Sequence, residues 1–220
     1  MSRASHGRTG SRGLIRTALA LAAAGFSATA QAQLAPGRSG GSTVSYFGAE
    51  QAMKELTVFG RCYARNKPDK AWSLIAERPA SREEAQTFRK LFKGESEMCL
   101  IPGTTLTMPL EYIRGVIAEG LLREQVAVPA AHRLSAPTLA EVRSLTDIAR
   151  CFVAANPAKA RAILETKPGS RAEYDAVSAM INDFAPCTPA GAQVRADATL
   201  IRYRLAEGLL RLAPPAAPGS

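Results

Sequence analysis

Apolar residues in this chain recur at helical spacing. Ala52, Leu56, Phe59 and Tyr63 stand four, three and four apart, and Val142, Leu145, Ala149 and Phe152 stand three, four and three apart. That spacing lays one apolar stripe along a helix. It predicts helices over roughly 49–66 and 139–155. Thr138 with Glu141 forms a capping box expected to open the second of these. Asn66-Lys67-Pro68 and Asn156-Pro157 should stop them, because the residue before proline disfavours the α region. A short helix follows in each place, with Trp72, Leu74 and Ile75 or Ile163 and Leu164, ended by Pro79 or Pro168. Ser81-Arg82-Glu83-Glu84 and Ser170-Arg171-Ala172-Glu173 are S-x-x-E capping boxes. They open helices carrying Phe88, Leu91 and Phe92, or Val177, Met180, Ile181 and Phe184. The last predicted helices bear Leu110, Ile113, Ile117 and Leu121, or Ala198, Ile201, Leu205 and Leu209. No segment alternates with the period of two that a half-buried strand needs.

The pattern occurs twice because the text does. Residues 113–123, IRGVIAEGLLR, return at 201–211 as IRYRLAEGLLR. Upstream, at an offset of 89, Arg61-Cys62 matches Arg150-Cys151, Pro68 matches Pro157 and Lys70-Ala71 matches Lys159-Ala160. Ser81-Arg82 matches Ser170-Arg171, and Glu84 matches Glu173. One residue then drops out, and Cys99 meets Cys187 and Gly103 meets Gly191 at an offset of 88. Ordered matches of this kind predict two units that solve the same packing problem.

The four cysteines allow three connectivities, and the repeat selects Cys62–Cys99 with Cys151–Cys187, so that each unit staples itself. Units of about 70 residues have marginal cores, and such staples offset that. The spacing fits neither a C-x-x-C redox pair nor a zinc site.

The ends change the setting. Arg3, Arg8, Arg12 and Arg16 form a basic leader without an acidic residue. An apolar run at 17–30 follows, and Ala30-Gln31-Ala32 offers small residues to a signal peptidase, which predicts export to a periplasm with the mature chain beginning at Gln33. No later stretch approaches the length of a membrane span. The formal charge of +9 overstates the basicity, since four of the 28 basic residues lie in the leader and 24 remain against 19 acidic ones. The remaining charges are interspersed, which excludes the blocked basic surface expected of a nucleic-acid binder.

Candidate chemistry is sparse. Beyond the leader the one histidine, His132, sits in a linker expected to leave it solvated. No nucleophile motif, phosphate loop, dinucleotide fingerprint or metal motif is present, so no catalytic residue, metal or cofactor is assigned. Glu119 with Arg123 and Glu207 with Arg211 are i,i+4 pairs that read as helix-surface ion pairs. The recurrence of Arg61, Arg114 and Glu119 as Arg150, Arg202 and Glu207 suggests a sharper possibility: a polar cluster between the first and last helices of each unit. Gly120 and Gly208 fall in mid-helix, which costs about 1 kcal/mol relative to Ala and marks a close approach between helices, most simply between the units. Trp72, Tyr63 and Phe152 are expected in the core.

The sequence thus predicts an all-α protein, a tandem duplication of a disulfide-stapled unit of three to four helices, with the two units packed together. The expected order is a signal peptide at 1–32, a flexible segment at 33–48 and unit one at 49–123. A linker at 124–137, unit two at 138–212 and a disordered tail at 213–220 complete it. The expected function is non-catalytic binding of an unidentified protein partner or support of the envelope. A small-ligand carrier with a pocket between the units is the alternative, and an unrecognised enzyme comes third.

Overall fold

The computed structural model describes residues 46–91, 99 and 108–212. The leader, the segment 33–45, Phe92, Gly103 and the tail 213–220 lie outside the described residues. The protein is all-helical, with no strand among the described residues. Helices α1 (Tyr46–Asn66), α2 (Pro68–Ala76), α3 (Arg82–Leu91) and α4 (Leu110–Arg123) form the N-terminal half. Helices α5 (Leu145–Ala155), α6 (Pro157–Leu164), α7 (Arg171–Ala179) and α8 (Ala198–Arg211) form the C-terminal half. Short 3₁₀ segments occupy Ala130–His132, Leu139–Glu141 and Ile181–Cys187. Disulfides join Cys62 to Cys99 and Cys151 to Cys187, with Cα atoms 5.6 and 5.7 Å apart.

Local chemistry sets most boundaries. Pro68 and Pro157 occupy the first turns of α2 and α6, where a missing N–H is harmless. The Ser81 and Ser170 hydroxyls accept the N–H groups of Glu84 and Glu173. Each glutamate reaches one residue further back than expected, to the N–H of Ala80 or Gly169. Both of those residues hold left-handed backbone, Ala80 at φ 61° and Gly169 at φ 72°. Past α4, Gln125 takes the left-handed position, with its own N–H on Leu122 and that of Val126 on Leu121, a Schellman closure.

Two expected helices are shorter than their periodicity suggests. Thr138 and Glu141 do pair, but they close only the 3₁₀ turn Leu139–Glu141. Ser144 caps α5 instead, accepting the Asp147 N–H, while Asp147 takes the N–H of Arg143. The Ser144–Asp147 capping pair, six residues further along the chain, thereby wins over Thr138–Glu141. Likewise α7 ends at Ala179, and Ile181, Phe184 and Cys187 enter the core from a 3₁₀ segment containing Pro186.

The two long helices α4 and α8 lie at the centre. Helix α4 packs on α1, α2 and α8, and α8 packs on α4, α5, α6 and α7. Every residue from Ile113 to Leu121 and from Ile201 to Arg211 is buried. A helix buried all round has no water-facing side, so its charged residues must find partners inside. One core gathers Leu56, Phe59, Tyr63, Trp72 and Ile117, and a second gathers Phe152, Ile163, Phe184 and Leu205. Tyr203 and Leu210 of α8 enter the first core, and Leu122 of α4 packs against the second.

Gly120 and Gly208 serve packing within each half, not between halves. A Cβ at Gly120 would overlap the Gly60 carbonyl on α1, and one at Gly60 would overlap the Val116 carbonyl on α4. At Gly208 the nearest atoms are Val153 Cγ2 at 3.1 Å and the Ala149 carbonyl oxygen at 3.4 Å. Backbone cannot yield as a side chain can. Gly120→Ala should therefore cost about 2–3 kcal/mol despite the better helix propensity, while Gly208→Ala should change stability by less than about 1 kcal/mol. Urea melts of the two variants check this; equal losses would refute the backbone-contact reading.

A buried arginine–glutamate network as candidate functional site

Arg114, on α4, is fully buried and spends all its donors. Its Nε and Nη2 reach the two carboxylate oxygens of Glu207 on α8 at 2.9 and 2.6 Å, a bidentate pair. Nη1 reaches Glu84 at 3.0 Å and the Leu74 carbonyl at 2.9 Å, and Nη2 also reaches the Ile75 carbonyl at 2.7 Å. Those carbonyls belong to the last turn of α2, where helix carbonyls lack intrahelical partners and the dipole favours a cation.

Arg202, on α8, repeats the arrangement toward the other half. Its Nε and Nη2 hold Glu119 of α4 at 2.8 Å each. Its Nη groups cap the end of α6 through the carbonyls of Ile163 at 2.9 Å and Leu164 at 2.8 Å, with Thr166 at 3.1 Å. Glu173 stands 3.5 Å away. A second arginine reaches each of these helix ends from the opposite long helix. Arg211 donates to the Ile75 carbonyl at 3.2 Å, and Arg123 donates to that of Leu164.

The i,i+4 pairs expected at the surface therefore exist, but their carboxylates lie inside. Arg123 binds Glu119 at 2.8 Å, and Arg211 stands 3.5 Å from Glu207. Glu119 and Glu207 are 1% and 0% exposed, which closes them to solvent. Arg204 adds a third cation near Glu207 at 3.5 Å. Four of the six expected cluster members are thus buried in two pairs, Arg114–Glu207 and Arg202–Glu119, which run between α4 and α8 and not between the first and last helices of each half. Arg61 is not among them; it pairs with Glu124 at 2.7 Å on an exposed flank. Arg150 pairs with Asp147 at 3.1 Å. The network also takes in Glu84, Glu173, Arg123, Arg204 and Arg211, which sequence reasoning had given to caps or surface or passed over. Recurrence at matched positions was the available signal for all of these but Arg204, which stands where the first half carries Val116.

Burial opposes ionisation of Glu119, yet its hydrogen bonds to Arg202 and that charge hold its carboxyl below the usual range. Glu207 is likewise held low by Arg114, Arg204 and Arg211 against the cost of its burial. Glu173 is pushed up by burial, which Thr199, the Gly169 N–H and Arg202 offset only in part. Carboxyls depressed in the folded state stabilise the fold above their unfolded value, about 4.5, and that contribution disappears as pH falls through the folded values. Glu173 acts in the opposite sense, its protonation favouring the fold. The melting temperature should hold between pH 7 and 5 and fall steeply below about 4.5. The Glu119→Gln variant, already less stable at neutral pH, should show a shallower fall, and an acid slope equal to that of the parent would exclude Glu119 as a contributor.

Trp72, Tyr63 and Phe152 lie in the core as expected. His132 is not simply solvated: it is half-buried and stacks on Trp72 with ring centroids 5.5 Å apart, while its carbonyl accepts Arg211 Nε at 3.1 Å. The linker is thereby pinned across the two halves. A cleft of about 300 Å³ lies at the start of α5, between Val142, Ser144, Ile148 and the loop with Val194 and Arg195. It belongs to the C-terminal half, away from the α4–α8 seam. Among the described residues no group of three or more His, Cys, Asp or Glu is placed to hold a metal, and no helix is long and apolar enough to cross a membrane. No family model matches the chain, and no curated protein and no solved structure matches it.

Proposed function

We propose that the protein is an exported product of tandem duplication that acts by binding another protein, without catalysis, through a surface to which both halves contribute. One observation carries this reading. Four of the charged residues shared by the two repeats, Arg114, Glu119, Arg202 and Glu207, are spent on one another and, for the arginines, on helix ends, all closed to solvent. A network that spans both long helices holds the halves in one relative position, so a partner meets a preorganised surface and loses little in ordering it. The two disulfides are compatible with an extracytoplasmic location, and the basic leader with its small-residue site supplies the route.

Affinity capture from a periplasmic extract, using the native protein as bait, tests the reading. The mature chain should begin at Gln33 by intact mass and retain a defined protein at stoichiometric yield. Arg114→Ala should weaken that retention only in proportion to the folded fraction. Turnover of a substrate that disappears in a folded Glu119→Gln variant would overturn the non-catalytic assignment.

A further inference from the structure

Gly115 and Tyr203 face each other where α4 crosses α8. A Cβ at position 115 would overlap the Cβ of Tyr203 and press on its ring. Tyr203 is fully buried, packs edge-on against Tyr112 with centroids 6.1 Å apart, and places its hydroxyl 3.8 Å from Met53 Sδ of α1. In the duplicated text IRGVIAEGLLR and IRYRLAEGLLR, these two residues occupy the same place.

The contacts around this point are reciprocal. Arg114 takes Glu207 while Arg202 takes Glu119. Arg211 reaches the end of α2 while Arg123 reaches the end of α6. Leu210 enters the N-terminal core, and Leu122 packs on the C-terminal core as well as on that of its own half. Reciprocity of this kind belongs to two-fold interfaces, in which residue i meets j and j meets i. At the centre of such an interface a residue meets its own counterpart, and two bulky side chains cannot share that volume. Here one position is empty and the other full.

We propose that the α4–α8 face recognises only the unlike half, the Gly115 surface accepting the Tyr203 surface and each refusing a copy of itself. The Arg–Glu exchange cannot make this distinction, because each half carries one arginine and one glutamate at the same two positions, and a pair of identical halves would satisfy them equally. Tyr203 against a second Tyr203 would put ring on ring. Gly115 against a second Gly115 would leave a void in a buried seam. The partner that fits is the complementary half, from the same chain or, by exchange through the 124–137 linker, from a second copy of it. The inference rests on the duplication proposed above for the equivalence of positions 115 and 203, and it is independent of any foreign partner.

The test uses the full-length oxidised chain. Tyr203→Gly should lower the melting temperature by about 10 °C through the void it leaves, and Gly115→Tyr by more. The double exchange Gly115→Tyr with Tyr203→Gly should melt above Gly115→Tyr alone; a loss equal to the sum of the two single losses would overturn the proposal. If Gly115→Tyr does not fold, Gly115→Ala decides. Combined with Tyr203→Gly it should cost nothing beyond the loss of Tyr203→Gly alone, and combined with Tyr203→Ala it should still cost stability, because the Cβ at 203 is the obstructing atom; an equal cost in both backgrounds would overturn the geometry. Differently tagged Gly115→Tyr and Tyr203→Gly chains, coexpressed, should form a 1:1 dimer in which each half meets its unlike. Self-capture by either variant as efficient as cross-capture would refute the selectivity, and no capture in any combination would refute the extension to a second copy. A failed periplasmic capture would leave all of these outcomes standing.

Discussion

Arg114→Ala is expected to remove about 3–5 kcal/mol of stability, although it changes one side chain far from any cleft. The loss does not measure the worth of an ion pair. It arises because buried Glu84 is left without its cation, buried Glu207 loses its bidentate partner and keeps only Arg204 and Arg211 at 3.5 Å, and the last carbonyls of α2 lose a donor. Arg202→Ala should behave similarly through Glu119 and the end of α6. The pairs themselves can be nearly neutral. A combined Arg114→Met and Glu84→Leu variant, which leaves Glu207 to Arg204 and Arg211, should therefore be destabilised less than Arg114→Ala alone, since matched apolar replacement removes the burial cost of Glu84 together with the attraction. Urea denaturation of the four proteins checks this. A loss below about 1 kcal/mol for Arg114→Ala would mean that water reaches the seam and that the network is not a closed one.

Loss of either disulfide is the second large effect. Each bridge closes a segment between cysteines 37 or 36 residues apart. Loop-closure entropy then gives about 4 kcal/mol of stabilisation per bridge, and removal of native bridges from small secreted domains costs about 2–5 kcal/mol. Cys151→Ala should lose this much in a chain that still carries the Cys62–Cys99 bridge. Dithiothreitol should lower the melting temperature of the parent by more than either single variant does. Non-reducing peptide maps must show the two linkages described; a Cys62–Cys151 linkage would contradict the self-stapled halves.

The extent to which the sequence was legible differs between the outer and central helices. On α1 and α5 one stripe faces the core and the opposite face is polar, so Leu56, Phe59, Tyr63 and Phe152 could be read directly from their spacing. On α4 and α8 the same rule identified Ile113, Ile117, Leu121, Ile201, Leu205 and Leu209, but it left the charged residues among them to surface pairs or to a cluster with the first helices. Glu119 and Glu207 fit a solvated face as well as a buried one, because i,i+4 pairing to Arg123 and Arg211 satisfies both. Their matching arginines are five residues away along the helix and cannot be reached on it. They are reached across the seam, on the other long helix.

The sequence by itself determined the helical class, the proline and serine boundaries, the cysteine pairing and the core stripes of the outer helices. All of these are short-range effects: a cap, a missing N–H, an apolar period, or a spacing that repeats. Only the tertiary structure decided that α4 and α8 bury every face along most of their length. It likewise decided that Arg114 meets Glu207 and not Glu119, that Arg61 and Arg150 stay outside, and that Gly115 rather than Gly120 lies between the halves. The physical reason is that partner choice for a buried charge depends on which helix faces it, and periodicity along one helix carries no information about its neighbour.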